Sequence, residues 1–209
     1  MLRIYQTTLE LKSLLSLLSF IFMLLNTGIM CGVNNLHMMD GTNIAEIAGQ
    51  DVFFEIVEPE AISYTFRSRP AKGFAGNFNY TIFRASLTPV NPVCGCSRYI
   101  NEDEVEGSIA LIERGECSFV TKAVRAKQSG AIAAIIMDND FTNDDHLVDM
   151  VDDGTGREVD IPVSFISRKD GVMIKRTLER LQLLHATINI PVNITKYGTK
   201  VRFSPWLVW

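Results

Sequence analysis

The densest run of groups able to do chemistry lies between residues 138 and 160. There nine acids (Asp138, Asp140, Asp144, Asp145, Asp149, Asp152, Asp153, Glu158 and Asp160) stand against one base, Arg157. Clustered carboxylates suit a hard cation such as calcium, which takes several oxygen ligands. An EF-hand loop needs D-x-[DN]-x-[DN]-G, and counted from Asp138 the fifth and sixth positions hold Thr142 and Asn143. The motif fails, so the segment reads as a solvated acidic loop. A metal-assisted hydrolase using these carboxylates is the alternative. The only histidines are His37, His146 and His185, and neither an H-E-x-x-H helix nor a G-x-S-x-G elbow occurs. Asp-Gly-Thr at 40–42 and 153–155 is not the Asp-Thr-Gly of an aspartic-protease dyad. The expectation is no catalytic residue, no metal and no cofactor.

Sulfur is the second candidate chemistry. Cys94-Gly95-Cys96 has the look of a metal or redox pair, but with Cys117 it offers three thiols and no nearby histidine as a fourth zinc ligand. In an oxidising compartment one bridge from Cys117 to Cys94 or Cys96 is expected, leaving one thiol over. Closing a loop of some twenty residues would contribute about 3 kcal/mol in the chain-entropy model. An unpaired Cys117, placed at a helix N-terminus, would be reactive.

The oxidising compartment is itself an inference from the first thirty residues. Arg3 and Lys12 precede an apolar run from Leu14 to Met30, and small residues Gly28, Cys31 and Gly32 close it. Residues 1–31 are read as a secretory signal peptide. An anchor retaining this segment is the alternative, because a spanning helix needs about 20 apolar residues. The expected product is secreted through the endoplasmic reticulum, with no stable membrane insertion after cleavage. The sequons Asn79-Tyr80-Thr81 and Asn193-Ile194-Thr195 fit that route, so Asn79 and Asn193 are candidate glycan sites. The whole chain carries a formal charge of −4, and losing Arg3, Lys12 and Glu10 takes it to about −5. Such a balance argues against nucleic acid or an anionic membrane as partner.

Residues 32–50 are polar and aperiodic, a loose leader, and residues 51–209 are long enough for one domain with a real core. Val52–Val57 is β-prone. Ile62, Tyr64 and Phe66 alternate as in a half-buried strand, and Phe78, Tyr80 and Ile82 mark one face of a strand over Phe78–Leu87 with Asn79 on the other. Ile109–Ile112 and Ala131–Met137 have no polar side chain, as strands covered on both faces should not. Between them Val120, Ala123, Val124 and Lys127 recur at helical spacing, the lysine stem covering apolar surface, until Gly130 ends the helix. Ile161–Ile166 and a helix capped by Ser167 and Asp170, burying Val172, Ile174, Leu178 and Leu181, nearly repeat the unit. Ala186–Ile194, interrupted by Pro191, suits an edge strand. The expected fold is α/β: a mixed β-sheet with two main helices.

Ligands gather beyond the carboxyl ends of parallel strands in open α/β sheets. Glu113, Arg114 and Gly115 after one strand, and Asp138, Asn139 and Asp140 after the next, are therefore neighbours on a possible binding rim. Ordinary strand-ending turns would account for the same residues. Trp206 and Trp209 in the terminal "SPWLVW" are either a docking patch or core.

The stretch "GSIALIERGECSFVTKAVRAKQSGAIAAIIMDND" resembles the signature of the protease-associated domain, with its buried strand, R-G-x-C-S-F turn, helix and second buried strand. "DIPVSFISRKDGVMIKRTL" is similar to that family's later strand and helix, and "YTFRSRPAKGFAGNF", "INIPVNIT" and "PWLVW" look like a small secreted glycoprotein of the family. The resemblance covers about residues 50–209. It implies a non-catalytic domain that binds peptides or shapes access to a partner, here an extracellular or secretory-pathway protein or peptide. In peptidases, transferrin-receptor relatives and plant vacuolar sorting receptors such domains sit beside other modules. None is recognised in this sequence, so an interaction role is expected rather than regulation of an attached protease. The family has one cysteine where this chain has Cys94 and Cys96. Spacing to Cys117 favours Cys96 and the following glycine favours Cys94, so both pairings stay open. The sequon at Asn193 falls where the small secreted member is expected to carry one.

Overall fold

The computed structural model describes residues 51–194 and 202–205. The signal peptide, the leader over 32–50, Thr195 of the second sequon, and Trp206 and Trp209 lie outside the described residues. No helix among the described residues is long and apolar enough to cross a membrane.

Seven strands close into a barrel: β1 (Val52–Glu58), β2 (Thr65–Pro70), β3 (Ile82–Pro89), β4 (Ile109–Glu113), β5 (Ala133–Met137), β6 (Val163–Ile166) and β7 (Ala186–Ile190), in the order β1-β2-β6-β5-β4-β3-β7. β3, β4, β5 and β6 run parallel to their neighbours in that series, and the other pairings are antiparallel. The expected mixed sheet is present. Its closure was not foreseen: β7 pairs with both β1 and β3, so it is no edge. Pro191 falls just past the last ladder residue, Ile190, where a missing N–H costs nothing, and the Val192 N–H donates to the Phe53 carbonyl at 2.8 Å beyond it.

Among the described residues three helices accompany the barrel, the short α1 (Glu102–Val105), α2 (Phe119–Gln128) and α3 (Arg168–Leu181). Only α1 has no counterpart in the sequence expectation. The α2 and α3 starts follow from their caps: the Ser118 and Ser167 hydroxyls accept from the backbone N–H of Thr121 and Asp170. Gly130 follows the α2 C-cap at φ +76°, a conformation glycine adopts without penalty.

The absence of alternation in β4 and β5 has a direct cause, because each face of these strands meets its own core. Ile109 and Leu111 of β4 and Ala133, Ile135 and Met137 of β5 join Phe54, Phe66, Leu87 and Ile188, with Ile174 and Leu178 of α3. Ala110, Ile112, Ala134 and Ile136 turn the other way, onto Val120, Ala123 and Ala126 of α2. Both helices therefore pack as the parallel strands require.

Local departures have local reasons. Ile62 closes a 3-10 turn over Glu60–Ile62, so β2 begins only at Thr65, yet Ile62 and Phe66 are buried and Tyr64 packs on the same core. The alternation reports burial correctly and strand geometry only in part. Phe78–Thr81 precede β3, with Phe78 packed inward and Tyr80 74% exposed. In α3, Leu181 is exposed rather than core. In α2 the buried lysine is Lys122, and Lys127 instead reaches out to pair with Asp160 at 2.7 Å.

Candidate binding rim

β4 and β5 pair in parallel up to Glu113 and Met137, so the turns that follow them leave the barrel side by side. The Arg114 N–H donates to the Met137 carbonyl at 2.9 Å, one further rung past the strand. Asp138 is buried, its own N–H held by the Ile166 carbonyl of β6 at 3.1 Å. Its Oδ1 accepts from the Arg114 guanidinium at 2.9 Å and from the Asn139 N–H at 2.8 Å. Asn139 Nδ2 donates back to the Arg114 carbonyl at 3.0 Å. Gly115, at φ +109°, has room only because it lacks a side chain: a Cβ there would stand 3.0 Å from Asn139 Nδ2. Glu113 reaches Lys175 of α3 at 3.7 Å.

Of the expected neighbours, Arg114, Asp138 and Asn139 are thus wired to one another. Asp138 Oδ2 is buried without a hydrogen-bond partner. Asp140 leaves the ledge and turns on Thr142, whose hydroxyl, followed by its N–H, holds the Asp140 carboxyl below its ordinary pKa. Beyond it Phe141 is 80% exposed, with the Arg168 guanidinium 4.0 Å from its ring centroid.

The acidic loop that follows is less freely solvated than its composition suggests. Asp144 pairs with Arg168 at 2.6 Å, Asp145 with Lys169 at 3.5 Å, Asp149 with Arg69 at 3.5 Å and Asp153 with Arg157 at 2.7 Å. With Asp138–Arg114 and Asp160–Lys127, six of the nine acids meet a base. Most of those bases stand on β2, α2 or α3, far away in sequence. Among the described residues, the carboxylates of this loop form no three-ligand cluster; Cys94, Cys96 and Glu116 do, with ligand atoms within 4.8 Å of one another. A cleft of about 400 Å³ lies between Phe74, Asn77, Glu158 and Val159, and the rim residues line no part of it.

The loop's second half is fastened to α2. The Ser118 hydroxyl donates to Asp153 at 2.6 Å and Arg157 donates to Thr121 Oγ1 at 3.0 Å. The Ser118 bond first, then that of Thr155, holds the Asp153 carboxyl well below the usual carboxylate range. A depressed folded-state pKa stabilises above the unfolded value and is lost as pH falls through the folded one. We therefore expect hydrogen exchange to show the first turn of α2 still protected at about pH 4 and released only further into acid. Asp153→Ala should show the released behaviour already at neutral pH.

The sulfur chemistry resolves to a Cys96–Cys117 disulfide with Cys94 free and partly buried. Both sequon asparagines, Asn79 and Asn193, are exposed. Sequence reasoning missed Lys122. It is fully buried, donates to the Gly115 carbonyl at 2.7 Å and to the Cys94 carbonyl, and stands 3.5 Å from Cys96 Sγ. Burial, before any neighbouring charge, lowers its pKa. The one signal was helical phase: Lys122, Ala126 and Ser129 are all buried at i, i+4 and i+7.

The family model for the PA domain matches residues 83–174. A PRADC1-like protein of Drosophila melanogaster is 41% identical over 167 residues, spanning 78% of this chain and 85% of that protein. A C5a peptidase of Streptococcus pyogenes serotype M1 is 37% identical over 114 residues, 53% of this chain and 9% of the peptidase. The ER degradation-enhancing alpha-mannosidase-like protein 3 of Xenopus laevis is 33% identical over 102 residues, 47% of this chain and 11% of that protein. Among solved structures, BSAP, a zinc aminopeptidase from Bacillus subtilis, aligns with TM-score 0.46 at 24% identity, and the aminopeptidase from Aneurinibacillus sp. strain AM-1 with 0.47 at 21%. Each alignment covers 68% of this chain and 30% of the aminopeptidase. With a relative matched over most of both sequences and the strand-turn-helix-strand signature in place, the chain belongs to the PA-domain family.

Proposed function

We propose that this protein is a non-catalytic interaction module of the secretory route, glycosylated at Asn79 and Asn193 and binding a protein or peptide partner at the rim of Glu113–Gly115 and Asp138–Asp140. The observation that carries this reading is the mutual wiring of the two turns through Arg114, Asp138 and Asn139. A ledge held in this way is ordered before any partner arrives, which lowers the ordering cost of binding. Its outward groups, Asp140 and the exposed Phe141, suit a partner with basic and apolar groups.

The test places a photo-crosslinking residue at Asp140 of the secreted glycoprotein and, as control, at the exposed Tyr80. Discrete adducts from Asp140 alone, lost on Phe141→Ala, are expected. Hydrolysis of a peptide library that Asp138→Ala or Asp140→Ala abolishes would overturn the reading.

A further inference from the structure

The sulfur cluster beside the rim is arranged for more than a static bridge. We propose that Cys94 is the third sulfur of an intramolecular thiol–disulfide exchange site, which takes the Cys96–Cys117 disulfide as its substrate and moves the free thiol from Cys94 to Cys117. The inference goes beyond the rim reading and does not depend on the rim's partner.

Four observations converge. Cys94 is unbridged, and its Sγ lies within 4.8 Å of Cys96 Sγ. Gly95 between them, at φ +61°, folds the pair into a tight turn. Lys122 is fully buried beside the bridge, 3.5 Å from Cys96 Sγ, and has no carboxylate at ion-pair distance among the described residues. Tyr99 is buried with its hydroxyl unpartnered, only 3.2 Å from where a Gly95 Cβ would stand. Burial, chiefly, raises the Tyr99 pKa, so the phenol stays a hydrogen-bond donor.

The step is redox-neutral. The Cys94 thiol gives up its proton to solvent and its sulfur attacks Cys96 Sγ. The Cys94–Cys96 bond forms as the Cys96–Cys117 bond breaks. The electron pair departs on Cys117 Sγ, which takes up a proton from solvent, so one disulfide and one thiol stand on each side. During the exchange one negative charge is spread over three sulfurs, and the central one faces the Lys122 ammonium. A preorganised cation beside the central sulfur stabilises such a charge without reorganisation. The departing Cys117 immediately precedes Ser118, the N-cap of α2, where the helix dipole favours an anion. Exchange would detach the turn at 113–117, which carries Arg114, from the 94–96 loop.

The test is alkylation of the native full-length protein with iodoacetamide, followed by acid quench, peptic digestion and mass mapping without reduction. We expect label on Cys117 as well as Cys94, together with a Cys94–Cys96 linkage. Cys94→Ser should abolish the Cys117 label. Lys122→Met should slow its appearance by about tenfold or more. A wild-type Cys117 that stays unlabelled at long times while Cys94 is labelled would overturn the proposal, and that readout stands whether or not the Lys122 variant folds. An unchanged rate in a folded Lys122→Met protein would overturn the part given to the lysine.

Discussion

Arg114→Met is expected to lower the unfolding free energy by about 3 kcal/mol, and Asp138→Ala by only about 1, although the two side chains form one ion pair. The asymmetry follows from where each end sits. The Asp138 side chain is fully buried, whereas the Arg114 side chain is 37% exposed. Removing the carboxylate leaves a guanidinium that water can reach. Removing the guanidinium leaves a buried carboxylate with one oxygen already unpartnered and the other held only by the Asn139 N–H. The double variant should cost less than the sum of the two, because it abolishes the charge that each single change strands. Urea denaturation of the four proteins checks this, and equal costs for the two single variants would contradict it. Because Arg114 is committed to Asp138, contact with a partner falls to the outward groups, and loss of binding in an Arg114 variant would report a loosened ledge.

What could be read from the residues, and what could not, divides along sequence separation. Ile109–Ile112 and most of Ala131–Met137 betrayed their double coverage through composition alone, and Ser167 and Gly130 marked helix ends, because those effects act within a turn or a strand. The adjacency of the turns after β4 and β5 followed from the same local logic, since parallel neighbours must end side by side. Barrel closure could not be read in this way. Whether Ala186–Ile190 is an edge depends on β1 and β3, about a hundred residues or more earlier in the chain, and Pro191 gave a misleading local cue. The acidic loop likewise looked unpaired because its bases, Arg69, Lys127, Arg168 and Lys169, lie outside it. Lys122 was missed because a shift of helix phase decides which lysine faces inward. The choice between Cys94 and Cys96 turns on two residues of spacing, which periodicity does not resolve.

Phe66→Ala should be the most costly single truncation considered, at about 4 kcal/mol, or a melting temperature lower by about 10 °C for a domain of this size. Phe66 has no solvent exposure, stacks on Phe54 with ring centroids 5.1 Å apart and meets the edge of Tyr64 at 6.5 Å. Its strand pairs with β1 on one side and β6 on the other, so in a closed barrel neither neighbour can move in to fill the space without breaking a ladder. The cavity therefore persists, and its cost adds to the lost transfer energy. Phe83→Ala is the matched control: the ring is 73% exposed, and the change should stay within about 0.5 kcal/mol. Thermal and denaturant unfolding of both variants measures the difference. The same loss should reach the rim, since β6 holds Asp138 through the Ile166 carbonyl. The Asp138 amide should accordingly exchange faster in Phe66→Ala and unchanged in Phe83→Ala. A slow Asp138 amide in a destabilised Phe66→Ala protein would show that the ledge is held independently of the barrel.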